Sequence, residues 1–118
     1  MFVFSLVAFA GFSQQATWLE MENFHSVMSV SFHPAEDNNL KPVRERASDL
    51  LKKAKEWQSS AAPKGFNGTV TAPILKKLVK QCSRIEVAVI KNKSDAELKK
   101  MITKAHDIFH EIKEKCRE

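Results

Sequence analysis

The sequence predicts an all-α protein, built as an antiparallel up-down-up-down four-helix bundle. Apolar residues recur at spacings of three and four in four separate stretches, which is the period of a helix with one buried face. Breakers are few, with three glycines and four prolines among 118 residues. The links between the stretches are mostly short, and short links make successive helices antiparallel neighbours.

The composition is that of one small globular domain, which we expect over residues 16–118. Apolar residues make up 43% of the chain and charged residues 28%, as in a folded soluble domain. The formal net charge is +5, but the lysines alternate with core positions and no aromatic residues accompany them to stack on bases. We therefore expect solvated helix faces and no nucleic-acid partner.

Residues 1–15 are predicted to be a secretory signal peptide. The run over residues 2–10 is apolar and uncharged, yet too short to span a bilayer as a helix. Small residues follow it up to Ser13, as at a cleavage site, although the usual basic start is missing. A buried N-terminal helix is the alternative. We expect a periplasmic or secreted protein with no stable membrane insertion after cleavage.

The first helix is predicted over about residues 16–33. Pro34 should end it, because the residue before a proline avoids the helical region. Spacings of three and four place these residues on its core-facing seam: Trp18, Met21, His25, Met28 and Phe32.

The other three helices have recognisable starts. Pro42 fits the first turn of the second helix. Thr71 is the predicted cap of the third helix, with Pro73 in its first turn. Ser94 and Glu97 have the spacing of a capping box, which is the clearest helix start in the chain.

All four histidines fall on the first and last predicted helices. At about 1.5 Å rise per residue, His25 lies level with His106 in an antiparallel pair, and His106 shares a face with His110. Glu22 precedes His25 by three residues, the Glu-x-x-His spacing of metal sites in helix bundles. Three imidazoles and one carboxylate suit zinc or copper(II). The sequence therefore predicts a metal site formed by Glu22, His25, His106 and His110.

Further ligands and other roles are open at this stage. The thioether of Met28 would suit copper(I), and His33 is expected to cap the first helix as a cation or to form a weaker second site. Alternatively, the histidines are polar core residues of a cofactor-free structural or interaction bundle. Since no Ser–His–acid set, glycine-rich phosphate loop or paired-carboxylate cleft emerges, we expect no enzyme activity.

The two cysteines are not expected to form a disulfide. In antiparallel third and fourth helices Cys82 lies about 18 Å from Cys116 along the axis, whereas a disulfide needs Cα atoms within about 7 Å. Cys82 should pack as a small apolar residue. Cys116 could bridge two chains in a homodimer or act as a soft metal ligand.

The last helix, AHDIFHEIKEK over residues 105–115, resembles the C-terminal helix of the cytochrome c-prime family and of its relative, the soluble b-type four-helix-bundle cytochrome. The resemblance matches His110 to the haem-ligating histidine and puts His106 and Phe109 at the two cysteines of Cys-x-x-Cys-His, which implies no covalent haem. By likeness to the b-type relative, it implies Met21 and His110 as axial ligands of a haem b in an electron-transfer protein. The likeness covers the bundle as an architecture, and the last helix as a motif.

Overall fold

The computed structural model describes residues 17–117, and they form a four-helix bundle, as predicted. Helix α1 spans Leu19–Glu36, α2 Lys41–Ser59, α3 Gly68–Ile90 and α4 Asp95–Lys115. No strand occurs within this range. The predicted signal peptide lies outside the described residues. Over residues 17–117, no helix has the length and apolar character that crossing a membrane would require.

Contacts between helix ends show the antiparallel order. The indole Nε1 of Trp18, just before α1, donates a hydrogen bond to Ser60 Oγ, just after α2, at 2.8 Å. Arg44 Nη2, near the start of α2, donates to the carbonyl of Lys93, in the turn after α3, at 2.8 Å. The bundle therefore runs up, down, up and down.

The predicted end of α1 at Pro34 is wrong, because the helix continues through Pro34 to Glu36. In the last turn, a proline removes only one intrahelical hydrogen bond, and its fixed φ is already helical. The chain leaves the helix at Asn38, which has a φ of 66° and whose backbone N–H donates to Ala35 O at 2.9 Å. Lys99 Nζ of α4 donates to the free carbonyl of Glu36 at 3.4 Å, which ties the end of α1 to α4.

The predicted start of α3 at Thr71 is also wrong. Asn67 is the N-cap, and its side chain accepts a hydrogen bond from Val70 N at 3.1 Å. Thr71 lies inside the helix and its hydroxyl donates to the Asn67 carbonyl at 2.7 Å, while Pro73 follows in the second turn. Asparagine caps helices at least as well as threonine, so the earlier of two good caps is used.

The start of α4 is the predicted one. Ser94 Oγ accepts a hydrogen bond from Glu97 N at 3.2 Å, which satisfies a backbone donor that the first turn leaves free. Arg44 holds Asp95 beside it through an Nη2–Oδ1 contact of 2.7 Å. These local bonds determine where α4 begins, and the two histidines lie farther along the same helix.

The centre of the core is an aromatic cluster of Phe24, Trp57 and Phe109, each at most 1% exposed. The ring centroids of Phe24 and Phe109 are 5.8 Å apart, and those of Trp57 and Phe109 are 6.0 Å apart. Burying a side chain of this size contributes about 1.5–3 kcal/mol. Phe24 therefore takes the central position on α1, and His25, predicted on the seam, lies at its half-buried edge.

Both cysteines are free thiols, so the prediction of no disulfide between them is confirmed. Burial raises the pKa of the Cys82 thiol to about 12. Cys116 is 0% exposed, and its carbonyl accepts a hydrogen bond from Asn67 N at 2.7 Å. An interchain disulfide or a metal bond through Cys116 would require the packing around this sulfur to open, and both stay predictions.

Candidate metal centre between α1 and α4

The four histidines of the chain lie together on the surface where α1 meets α4. This surface, called the histidine face below, is defined by His25 and His33 on α1 and by His106 and His110 on α4. Each pair shares one side of its helix because its members are separated by one or two helical turns. The sequence predicted that His25, His106 and His110 would come together between these helices, and it gave His33 a separate role at the end of α1.

His106 and His110 form the closest pair on this face. Their Nε2 atoms are 3.2 Å apart. Two imidazole nitrogens bound to one ion at about 2.0–2.1 Å, at right or tetrahedral angles, would be about 2.8–3.4 Å apart. The side chains are thus already spaced as two neighbouring ligands of a single metal ion.

The ring of Phe32 on α1 packs against His106 of this pair. Its ring lies parallel to the His106 ring, with centroids 3.8 Å apart and planes inclined by 9°. A stacked aromatic neighbour restricts rotation of the imidazole and adds about 0.5–1.5 kcal/mol of attraction. Phe32 of α1 therefore fixes the orientation of the His106 ring, while the Nε2 atom of His106 faces His110 of α4.

His25 lies farther along α4 than its predicted level beside His106. Its ring stacks on Phe109, with centroids 5.0 Å apart and an interplanar angle of 19°, about one turn from the predicted neighbour. Glu22, one turn earlier on α1, is exposed. Over residues 17–117, no three side chains of His, Cys, Asp or Glu are already gathered as metal ligands, so His106 and His110 are the preformed part of the predicted set.

Carboxylates on the same helices contact two of the imidazoles. His110 Nδ1 lies 3.3 Å from Glu114 Oε2, and His33 Nδ1 lies 3.2 Å from Glu36 Oε1. His33 lies in the last turn of α1, as expected, and pairs with a carboxylate there. The hydrogen bond to the Glu36 carbonyl comes from Lys99, and the capping role of a cationic His33 stays a prediction. Glu114 was not foreseen, although its spacing of four from His110 was a usable signal.

The two methionines considered as ligands, Met21 and Met28, are both 0% exposed. Each belongs to the apolar core rather than to the histidine face. A thioether bond to copper(I), or an axial bond from Met21 to haem iron, would require the core around these side chains to open. No contact in the structure tests haem binding itself, so the haem alternative stays a prediction.

The surroundings of His25 and His106 favour the neutral form of these two imidazoles. Burial lowers the pKa of His25, and the charges of Lys113 and His110 lower it further, against an opposing effect of Glu22. Burial and the neighbouring His110 likewise lower the pKa of His106, with nearby carboxylates opposing. Metal ions bind the neutral form of histidine, so a lowered pKa keeps these side chains available as ligands at neutral pH.

Comparisons with protein-family models, with curated proteins and with solved structures find no match for this chain. They have no bearing on the resemblance to the cytochrome c-prime family. The case for a function therefore rests on the geometry of the histidine face.

Proposed function

We propose that this protein binds a divalent transition-metal ion, zinc or copper(II), at the histidine face. The observation that carries the proposal is the 3.2 Å separation of the Nε2 atoms of His106 and His110, which matches two ligands of one ion. His25 is the third ligand, and Glu22 or a water molecule completes the site. The role is that of an exported, non-enzymatic protein that stores, senses or delivers the ion.

The donor atoms available at the surface favour zinc and copper(II) over copper(I). Imidazole nitrogen and carboxylate oxygen suit the divalent ions, whereas copper(I) prefers thiolate and thioether sulfur. Met28 and both cysteines are 0% exposed, so their sulfur atoms are not available to an ion at the histidine face. The side chain of His110 is 41% exposed, which allows an ion to enter without opening the core.

The third ligand requires a small side-chain movement. His25 is half-buried and lies against Phe109, the residue immediately before His110. Rotation of its side chain on α1 would direct a ring nitrogen towards the pair on α4. Binding would then join α1 to α4, and the ion would stabilise the folded chain over the unfolded one.

Metal analysis and an absorption spectrum of the purified protein are the first test. We expect stoichiometric zinc or copper and no Soret band, and competition titrations should show that His106→Ala, His110→Ala and His25→Ala each weaken binding sharply. Lys104→Ala, an exposed change on the same helix, serves as the control and should bind as the wild type does.

Each contrary result has a definite meaning. Unchanged affinity in all three histidine variants would remove the proposed site. A Soret band with stoichiometric iron would instead support the haem alternative. A protein that takes up no metal would favour the cofactor-free interaction bundle.

A further inference from the structure

The structure assigns to Glu114 the role of a positioning residue for His110, an inference that rests on the proposed metal site. Glu114 holds the His110 imidazole in the tautomer that carries its proton on Nδ1. His110 Nε2 then carries no proton and can offer its lone pair to the ion. Glu114 itself does not touch the metal.

The side chains of His110 and Glu114 are in contact on α4. His110 Nδ1 and Glu114 Oε2 are 3.3 Å apart. An ionised carboxylate has no hydrogen to donate, so the imidazole Nδ1 must be the donor. When the ring is neutral it carries one proton only, and with that proton on Nδ1 its Nε2 is unprotonated.

The contact between His110 and His106 adds a second hydrogen bond to the first. His110 Nε2 lies 3.2 Å from His106 Nε2, and since the first of these nitrogens has no hydrogen, the second must donate. In the metal-free protein, His106 thus carries its proton on Nε2 and His110 carries its proton on Nδ1. The two neighbouring histidines hold opposite tautomers, and Glu114 determines the direction of both hydrogen bonds.

Metal binding then changes the two rings differently. Once the hydrogen bond from His106 is broken, His110 offers its Nε2 lone pair without any change of tautomer. His106 must release the Nε2 proton to water and take one from water at Nδ1, with no net change in the number of bound protons. Because Phe32 fixes the plane of the His106 ring, the exchange occurs with Nε2 still facing the site.

The expected effect of losing Glu114 is moderate. Carboxylates that orient ligand histidines typically account for about 10–100-fold in metal affinity. The side chain of Glu114 is 68% exposed, so water screens its hydrogen bond. We expect a loss near the lower end of that range, about 10-fold.

The test compares Glu114→Ala with Glu111→Ala as a matched control. Glu111 lies on the same helix but pairs with Lys77 of α3 at 3.4 Å, away from the histidine face, and alanine is compatible with a helix at both positions. Nitrogen-15 NMR of the histidine side chains at pH 8 identifies the tautomer of each ring without metal. A competition titration with zinc then gives the affinity of each variant.

We expect wild type and Glu111→Ala to show His110 protonated on Nδ1 and His106 on Nε2, with zinc changing only the tautomer of His106. Glu114→Ala should lose the Nδ1 preference of His110 and bind zinc about 10-fold more weakly. Wild-type zinc binding together with an unchanged tautomer or affinity in Glu114→Ala would overturn the inference and leave the metal site standing. Failure of the wild type to bind either zinc or copper(II) would overturn both.

Discussion

Replacing His106 with alanine should remove most of the thermal stabilisation that zinc gives the protein. A ligand that binds only the folded chain stabilises it by about 2.7 kcal/mol at about 100 times its Kd. A domain of this size gains about 4–8 °C in Tm per kcal/mol, so zinc at that concentration should raise the wild-type Tm by about 11–22 °C. His106 supplies half of the preformed 3.2 Å pair, which makes it the ligand whose loss matters most.

The expected size of the loss follows from the same relation. A ligand in direct contact with the ion should cost at least the upper end of the about 10–100-fold range known for residues that only orient a ligand. A 100-fold weaker site at the same zinc concentration leaves about 0.4 kcal/mol, or about 2–3 °C. Differential scanning calorimetry with and without zinc measures this difference directly.

The stacking of His106 on Phe32 also contributes to the stability of the metal-free fold, so the zinc-dependent shift has to be separated from the metal-free Tm. Phe32→Leu is the matched control, since it removes the stack and keeps the imidazole. We expect Phe32→Leu to lower the metal-free Tm but to retain the zinc shift. A zinc shift in His106→Ala equal to that of the wild type would refute the reasoning.

Three further outcomes follow from the described contacts. The buried Cys82 thiol, with its pKa raised to about 12, should react with an aromatic disulfide reagent only after unfolding, and fast labelling of the native chain would contradict its burial. Ser94→Ala should cost about 1 kcal/mol by removing the cap of α4, seen as a Tm about 4–8 °C lower, whereas the exposed helix change Ser48→Ala should not lower it. In the presence of a chelator, the free energy of unfolding should fall as the pH drops below 6.5, the ordinary pKa of histidine. The lowered pKa values of His25 and His106 make the unfolded chain bind more protons than the folded one. Urea denaturation measures this, and a free energy of unfolding that does not change between pH 7.5 and 5 would contradict it.

The features that were correctly predicted are mostly local along the chain. The Ser94–Glu97 start of α4 involves residues three apart, and the contact of His106 with His110 involves residues four apart. Helical geometry alone brings such residues together once the helix forms. The carboxylate partner of His110 at Glu114 belongs to the same class and could have been found in the same way.

The helix ends show where local signals compete. Pro34 and Thr71 are reasonable signals for a stop and a start, yet α1 continues to Glu36 and α3 begins after Asn67. Each alternative differs by only a few hydrogen bonds, so a better local cap, as at α3, or a contact with another part of the chain decides between them. At α1, Lys99 of α4 satisfies the carbonyl of Glu36.

The sequence by itself determined that this protein is a bundle of four amphipathic helices, with its histidines restricted to the first and last of them, because periodicity and cap spacing are properties of one helix at a time. Only the tertiary structure decided that Phe24 rather than His25 enters the core, that His25 stacks on Phe109, and that Met28 and Cys116 are covered. Neighbouring residues on a helix point about 100° apart, so both Phe24 and His25 fit an apolar seam by spacing. The choice between them depends on which ring fills the space between α2 and α4, and that space exists only after the four helices have packed.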